Sequence, residues 1–172
     1  MKPAASLAAT LRVVALPAIA INAAVLWVLR DNLGNVGAGL HAPDWSLLAR
    51  QGWVIQLHLL AALSALVVAM YMLSAAKGSR AHRVVGWASV VLMMTTALSS
   101  FFIRELDPGK LSWIHILSGW TAIAAPIGVW AARTHRVLLH QRFMTGIVVG
   151  GLVIAGGFSF LPGRLMWRVL FG

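Results

Sequence analysis

Five runs of apolar residues divide the chain, over 13–29, 52–76, 84–103, 111–132 and 143–163, and the charged residues fall in the connections between them. A bilayer core takes about 20 helical residues to cross, so the pattern predicts an all-α integral membrane bundle of five transmembrane helices within one membrane domain, 1–172. The first run follows Lys2 and Arg12 and contains Ala18-Ile19-Ala20, as a cleaved signal peptide can. Its length reads better as a retained helix, bent at Pro17.

Composition agrees with the pattern. Apolar residues make up 60% of the 172 and charged residues 10%, against about 25% charged in an ordinary soluble domain. There is no cysteine, which removes disulfide frameworks, thiolate metal sites, iron–sulfur clusters and covalent c-type haem together. The 14 basic residues outnumber 4 acidic ones for a formal charge of +10. In a soluble protein that excess would suggest nucleic acid. Here the cations are scattered between apolar runs and read as topology signals and lipid-headgroup contacts, with no nucleic-acid partner expected.

Five spans sort these charges onto two sides. Lys2, Arg12, Lys77, Arg80, Arg83, Arg133, Arg136 and Arg142 share one side with no acid, whereas Arg30, Arg50, Arg104, Lys110, Arg164 and Arg168 share the other with all four acids. The positive-inside rule then makes the first side cytoplasmic. The expectation is an N-terminus in and a C-terminus out, in a multi-pass protein of a bacterial cytoplasmic (inner) membrane. It divides into an N-terminal helix (1–30), a periplasmic loop (31–51), a four-helix core (52–163) and an interfacial tail (164–172). Trp27, Trp53 and Trp113 at the outer ends and Trp87 and Trp130 at the inner ends match aromatic belts. Within the loop, Asp44 is a plausible N-cap for a short helix running to Arg50.

Only two side chains inside the five runs titrate near neutral pH, His58 and His115, and intramembrane ionisable residues are functional candidates by default. Each belongs to a hairpin with a second histidine. His82 follows His58 by 24 residues and His140 follows His115 by 25; similar Ala-Ala-basic steps, Ala75-Ala76-Lys77 and Ala131-Ala132-Arg133, close the first helix of each. The hairpins are two parallel repeats, related by an axis along the membrane normal. His58 and His115 then match in depth on the outer side, and His82 and His140 on the inner.

Two histidines facing each other at one depth suit axial ligation of a b-type haem, so two pairs would hold two haems. Helical rise separates the levels by at most about 25 to 30 Å, near enough for electron transfer after tilt. Small residues flank the ligands: Ala61, Ala62, Ala65 and Ala69 with His58; Ser118, Gly119, Ala122 and Ala125 with His115; Gly86 and Ser89 with His82; Gly151 with His140. Small residues also let membrane helices pack closely with no cofactor. Arg83, Arg142, Arg133 and Arg136 lie near the inner pair and Arg104, Lys110 and Arg50 near the outer, where arginine could match propionates; the inner ones serve equally as topology charges. Met144, one turn past His140, is a soft alternative ligand, and His41 and His135 read as solvated.

These residues resemble a bacterial family of small predicted inner-membrane proteins known only as a domain of unknown function. The likeness runs from about His58 to the C-terminus. It rests on His82-Arg83-x-x-Gly86, on Ser112-Trp113-Ile114-His115-Ile116-Leu117-Ser118, with Trp113 where that family would carry proline, on His140 with Met144, and on Phe158-Ser159-Phe160-Leu161-Pro162-Gly163-Arg164. It implies a membrane topology and marks His58, His82, His115 and His140, with no activity attached. Four histidines on four successive helices, paired between alternate helices, are also similar in architecture to the ascorbate-type di-haem transmembrane cytochromes b.

The leading expectation is a di-haem b-type cytochrome carrying electrons across the membrane, with quinone or a redox protein as partner. A second is a non-catalytic accessory subunit of a larger respiratory or photosynthetic complex, which the Gly146-x-x-x-Gly150 contact motif would serve. A third is metal handling by histidine pairs with Met70, Met72, Met93, Met94 and Met144. No hydrolytic set is present: there is no Ser-His-acid group, phosphate loop or paired carboxylates.

Overall fold

The computed structural model describes residues 41–103 and 114–172. The expected first span, residues 31–40 of the 31–51 connection, Arg104 and Lys110 lie outside the described residues. Among those described there is no strand. The elements are α1 (Trp45–Ala49), α2 (Trp53–Ser74), α3 (Arg80–Ser100), α4 (Ile114–Arg133), α5 (Val137–Ile147), a π-helical segment (Val148–Ile154), α6 (Ala155–Phe158) and α7 (Leu165–Phe171). Four helical stretches are long and apolar enough to cross a membrane: Trp53–Ser74, Arg80–Ser100, Ile114–Arg133 and Val137–Phe158. They coincide with the last four apolar runs.

Helix starts precede the apolar runs. α3 begins at Arg80 and α5 at Val137, four and six residues before the hydropathy does. Arginine and leucine are good helix formers, so hydropathy marks the lipid-facing stretch, while local chemistry marks where the helix starts. At α3 that chemistry is Ser79, whose hydroxyl accepts from His82 N–H at 3.0 Å. Gly78, at φ +76°, supplies the left-handed turn before it. Lys77 reaches back to the carbonyls of Met72 and of Leu73 (3.0 Å), closing the end of α2. Burial there pushes its ammonium below the usual lysine range.

The chain forms two compact units. In the larger, residues 49–152, α2 packs on α3, α3 on α4 and α4 on α5. Its core is built from small residues. Ala61, Ala65 and Ala69 of α2 and Ala124, Ala125 and Ala131 of α4 are buried, whereas Leu60, Leu63, Val67, Met70, Ile116 and Ile123 are exposed. Large apolar groups outside and small ones inside are what helices solvated by lipid require. Met93, Ile147 and Leu152 complete the core. Ile147 and Leu152 stand five apart, which on an α-helix is about 140° of rotation; the π-helical segment, with its i→i+5 period, brings both to one side.

The smaller unit is described over 41–48 and 153–172. Asp44 caps α1 as the sequence suggested, its Oδ1 accepting from Ser46 N–H (2.9 Å) and Leu47 N–H (3.2 Å). The backbone N–H groups of His41 and Asp44 donate to the carbonyls of Leu170 and Val169 near the end of α7 (3.1 and 2.9 Å). Trp167 stacks on Phe171 (4.7 Å between ring centres).

One residue sits against its intrinsic preference. His135, between α4 and α5, has φ +57° and is exposed. It ends α4 in a left-handed turn, with His135 N–H on Ala132 O (3.2 Å) and Arg136 N–H on Ala131 O (2.8 Å). Left-handed φ costs a non-glycine residue roughly 1 to 2 kcal/mol, and glycine gives back part of that through unfolded-chain entropy. His135→Gly is therefore expected to stabilise the protein by about 0.5 to 1 kcal/mol, read as a higher unfolding midpoint in detergent; a lower midpoint refutes it.

Candidate functional site

Four histidines occupy the two ends of the larger unit. At one end His58, in the second turn of α2, lies with Nδ1 3.0 Å from Ser99 Oγ at the end of α3. His115, at the start of α4 and 6% exposed, packs its ring against Phe101, 5.8 Å between centres. Ser99 and Phe101 are two residues apart, so His58 and His115 both meet the same end of α3. Beside them Ser100 donates to Ser118 at 2.6 Å, tying α3 to α4. At the opposite end His82 of α3 and His140 of α5 meet ring to ring, with centres 6.4 Å apart and planes at 79°. Of the two expected pairs, His82 and His140 are in ring contact, and His58 and His115 each meet the C-terminal end of α3.

Hydrogen bonds fix which ring nitrogen is open. A carbonyl cannot donate, so at the 2.8 Å contact with Gly128 O it is His140 Nδ1 that carries the hydrogen. Ser99 directs its single hydrogen at the carbonyls of Thr95 (2.6 Å) and Thr96 (3.1 Å). Its oxygen therefore accepts from His58 Nδ1–H. In both histidines the lone pair lies on Nε2, and a donated Nδ1–H is the usual way a protein orients a ligating imidazole. His82 Nδ1 is buried and has no hydrogen-bond partner. Met144, one turn past His140, fills the notch at Gly128, where a Cβ would overlap its methyl.

The arginines divide differently. Arg83 Nη1 donates to Gly78 O at 2.7 Å. Arg142 is exposed and stands two residues past His140, and on a helix i and i+2 do not share a face. Arg104 lies outside the described residues. Arg136, one turn before His140, lies with Cζ over the Trp130 ring, 4.8 Å from its centre, and Arg133 over the Trp87 ring at 5.4 Å. Among the described residues no three or more His, Asp or Glu come together as a metal-holding group, and His82 and His140 are the two imidazoles in ring contact.

Sequence reasoning did not reach Ser99 and the Gly128 carbonyl, yet a signal for both existed. In an antiparallel hairpin, positions equally far from the turn meet. His140 and Gly128 lie six residues either side of Thr134, and His58 and Ser99 are nearly equidistant from Gly78. His41 and His135 are exposed, as read. No family model, curated protein or solved structure matches the chain.

Proposed function

We propose that this protein is a transmembrane b-type cytochrome of a bacterial cytoplasmic membrane, holding one haem b between His82 and His140 and a second between His58 and His115, and passing electrons between the two faces. The observation that carries this reading is the inner pair. Two imidazoles on opposite sides of one iron, with metal–nitrogen bonds of about 2 Å, hold their ring centres about 6 to 7 Å apart; those of His82 and His140 are 6.4 Å apart. His140 is already oriented by the Gly128 carbonyl, and His82 has a buried nitrogen that no protein group satisfies.

The donor count favours haem over a bare metal ion. A protein-only zinc site takes three or four ligands, and a porphyrin needs only two axial ones from the chain. When bound, haem supplies a reversible one-electron couple. The chain's own work is to hold Nε2 of His58 and His140 unprotonated through Nδ1–H donation and to keep water out with Ala61, Ala65, Ala124 and Ala125. Quinone or a redox protein is the proposed partner.

The visible spectrum of the purified protein, oxidised and dithionite-reduced, tests this. A sharp reduced α-band with a low-spin Soret peak is expected. A colourless protein with full helical content overturns the reading and puts the accessory-subunit role first. Orientation has its own test: reporter fusions after Lys77 and after Lys110 are expected to report cytoplasm and periplasm, and the reverse result inverts the two histidine levels.

A further inference from the structure

Six cations, Lys77, Arg80, Arg83, Arg133, Arg136 and Arg142, stand exposed at the end of the larger unit that carries His82 and His140. The described residues of that unit contain no aspartate or glutamate, so no carboxylate there neutralises them. Two of the six are held in place. Arg133 lies over Trp87 and Arg136 over Trp130, joining the inner ends of α3 and α4 to the turn before α5. The turn is itself fixed, by Thr134 N–H on Trp130 O (3.0 Å) and Arg136 N–H on Ala131 O (2.8 Å).

A guanidinium held over an indole by cation–π attraction commits none of its N–H donors to a hydrogen-bond acceptor, so they stay available to phosphate oxygens. Each indole is about half exposed, Trp87 at 50% and Trp130 at 48%. The rings are thus covered on one side by the cation and open to lipid elsewhere, as amphipathic rings at a headgroup boundary are. Arg80 carries the same charge with no indole beneath it that the ring contacts show.

We infer that Arg133 and Arg136, backed by Trp87 and Trp130, form a seat for the phosphodiester headgroup of an anionic phospholipid. Phosphatidylglycerol has the required chemistry: one negative phosphate, no choline to repel the arginines, and acyl chains that lie along the exposed apolar flank of α4. The cation–π contact pre-pays the ordering of two long side chains, which is why these two, rather than the six together, carry the selectivity.

The test is thermal unfolding of the whole protein in neutral detergent micelles doped with phosphatidylglycerol or, at equal mole fraction, phosphatidylcholine. Phosphatidylglycerol is expected to raise the midpoint and phosphatidylcholine to raise it little. Arg133→Gln with Arg136→Gln is expected to weaken the phosphatidylglycerol effect about five- to tenfold in apparent affinity, and Arg80→Gln to leave it unchanged. Native mass spectrometry of the unaltered protein, expected to retain phosphatidylglycerol in preference to phosphatidylcholine, decides the matter if the double variant does not fold. Equal response to the two lipids, equal loss in Arg80→Gln, or the same stabilisation by inorganic phosphate alone would overturn the assignment.

Discussion

On the proposed di-haem reading, replacing His140 with alanine is expected to remove one haem of two and leave the other, and His82→Ala to remove the same one. The double variant is expected to lose no more than either single, and His58→Ala and His115→Ala to form the second matched set. The expectation follows from where the rings sit: His82 and His140 are in ring contact at one end of the larger unit, and His58 and His115 both meet the C-terminal end of α3. Neighbours along the chain cannot pair instead, because the 16 residues from His58 to the end of α2 carry the backbone about 24 Å. Haem stoichiometry and redox titration of the four single variants and the two doubles provide the measurement. Four unrelated phenotypes, or full haem retention in both His82→Ala and His140→Ala, would sink the pairing.

Gly151→Leu is expected to destabilise the bundle by about 1 to 3 kcal/mol, the usual range for forcing methylenes into a filled core. A Cβ at Gly151 would stand 2.7 Å from Thr121 Oγ1 and 3.5 Å from the Met93 methyl. Neither neighbour can retreat. Thr121 is 3% exposed and donates to Leu117 O at 2.9 Å, and Met93 is 2% exposed. Gly146→Leu is the control, since nothing lies within 4 Å of a Cβ there; it is expected to change stability by less than about 0.5 kcal/mol. Unfolding midpoints in detergent compare the two, and equal midpoints would refute the packing argument.

That contrast also shows what the sequence could and could not disclose. Gly146-x-x-x-Gly150 reads as the contact motif, but the close approach falls on Gly151, because the π-helical segment shifts the phase of the last span where no residue type announces it. The four later spans were legible from apolar length alone, and the short helix after Asp44 from its cap. The meeting of His82 with His140 was legible from the two hairpin spacings. Arg83 and Arg142 stand beside the histidines in sequence, yet helical phase turns Arg142 away from His140, and Arg83 is engaged with the Gly78 carbonyl. Nearness along a helix predicts contact only at three or four residues. Ser99 and Gly128 O required knowing where the turns are, and Gly78, Ser79 and the left-handed His135 fix those.

The π-helical segment has a consequence for how this span can vary over evolution. A helix that packs on one side before and after such a segment holds one residue more than a straight α-helix of the same phase would. Lengthening or shortening the chain by one within 148–151 changes a local winding, whereas the same change next to His140 would swing Phe143, Met144 and Ile147 about 100° off the core. Single-residue length differences among relatives of this protein should therefore collect in that turn, which serves the last span as a vernier between its histidine and its glycine contact.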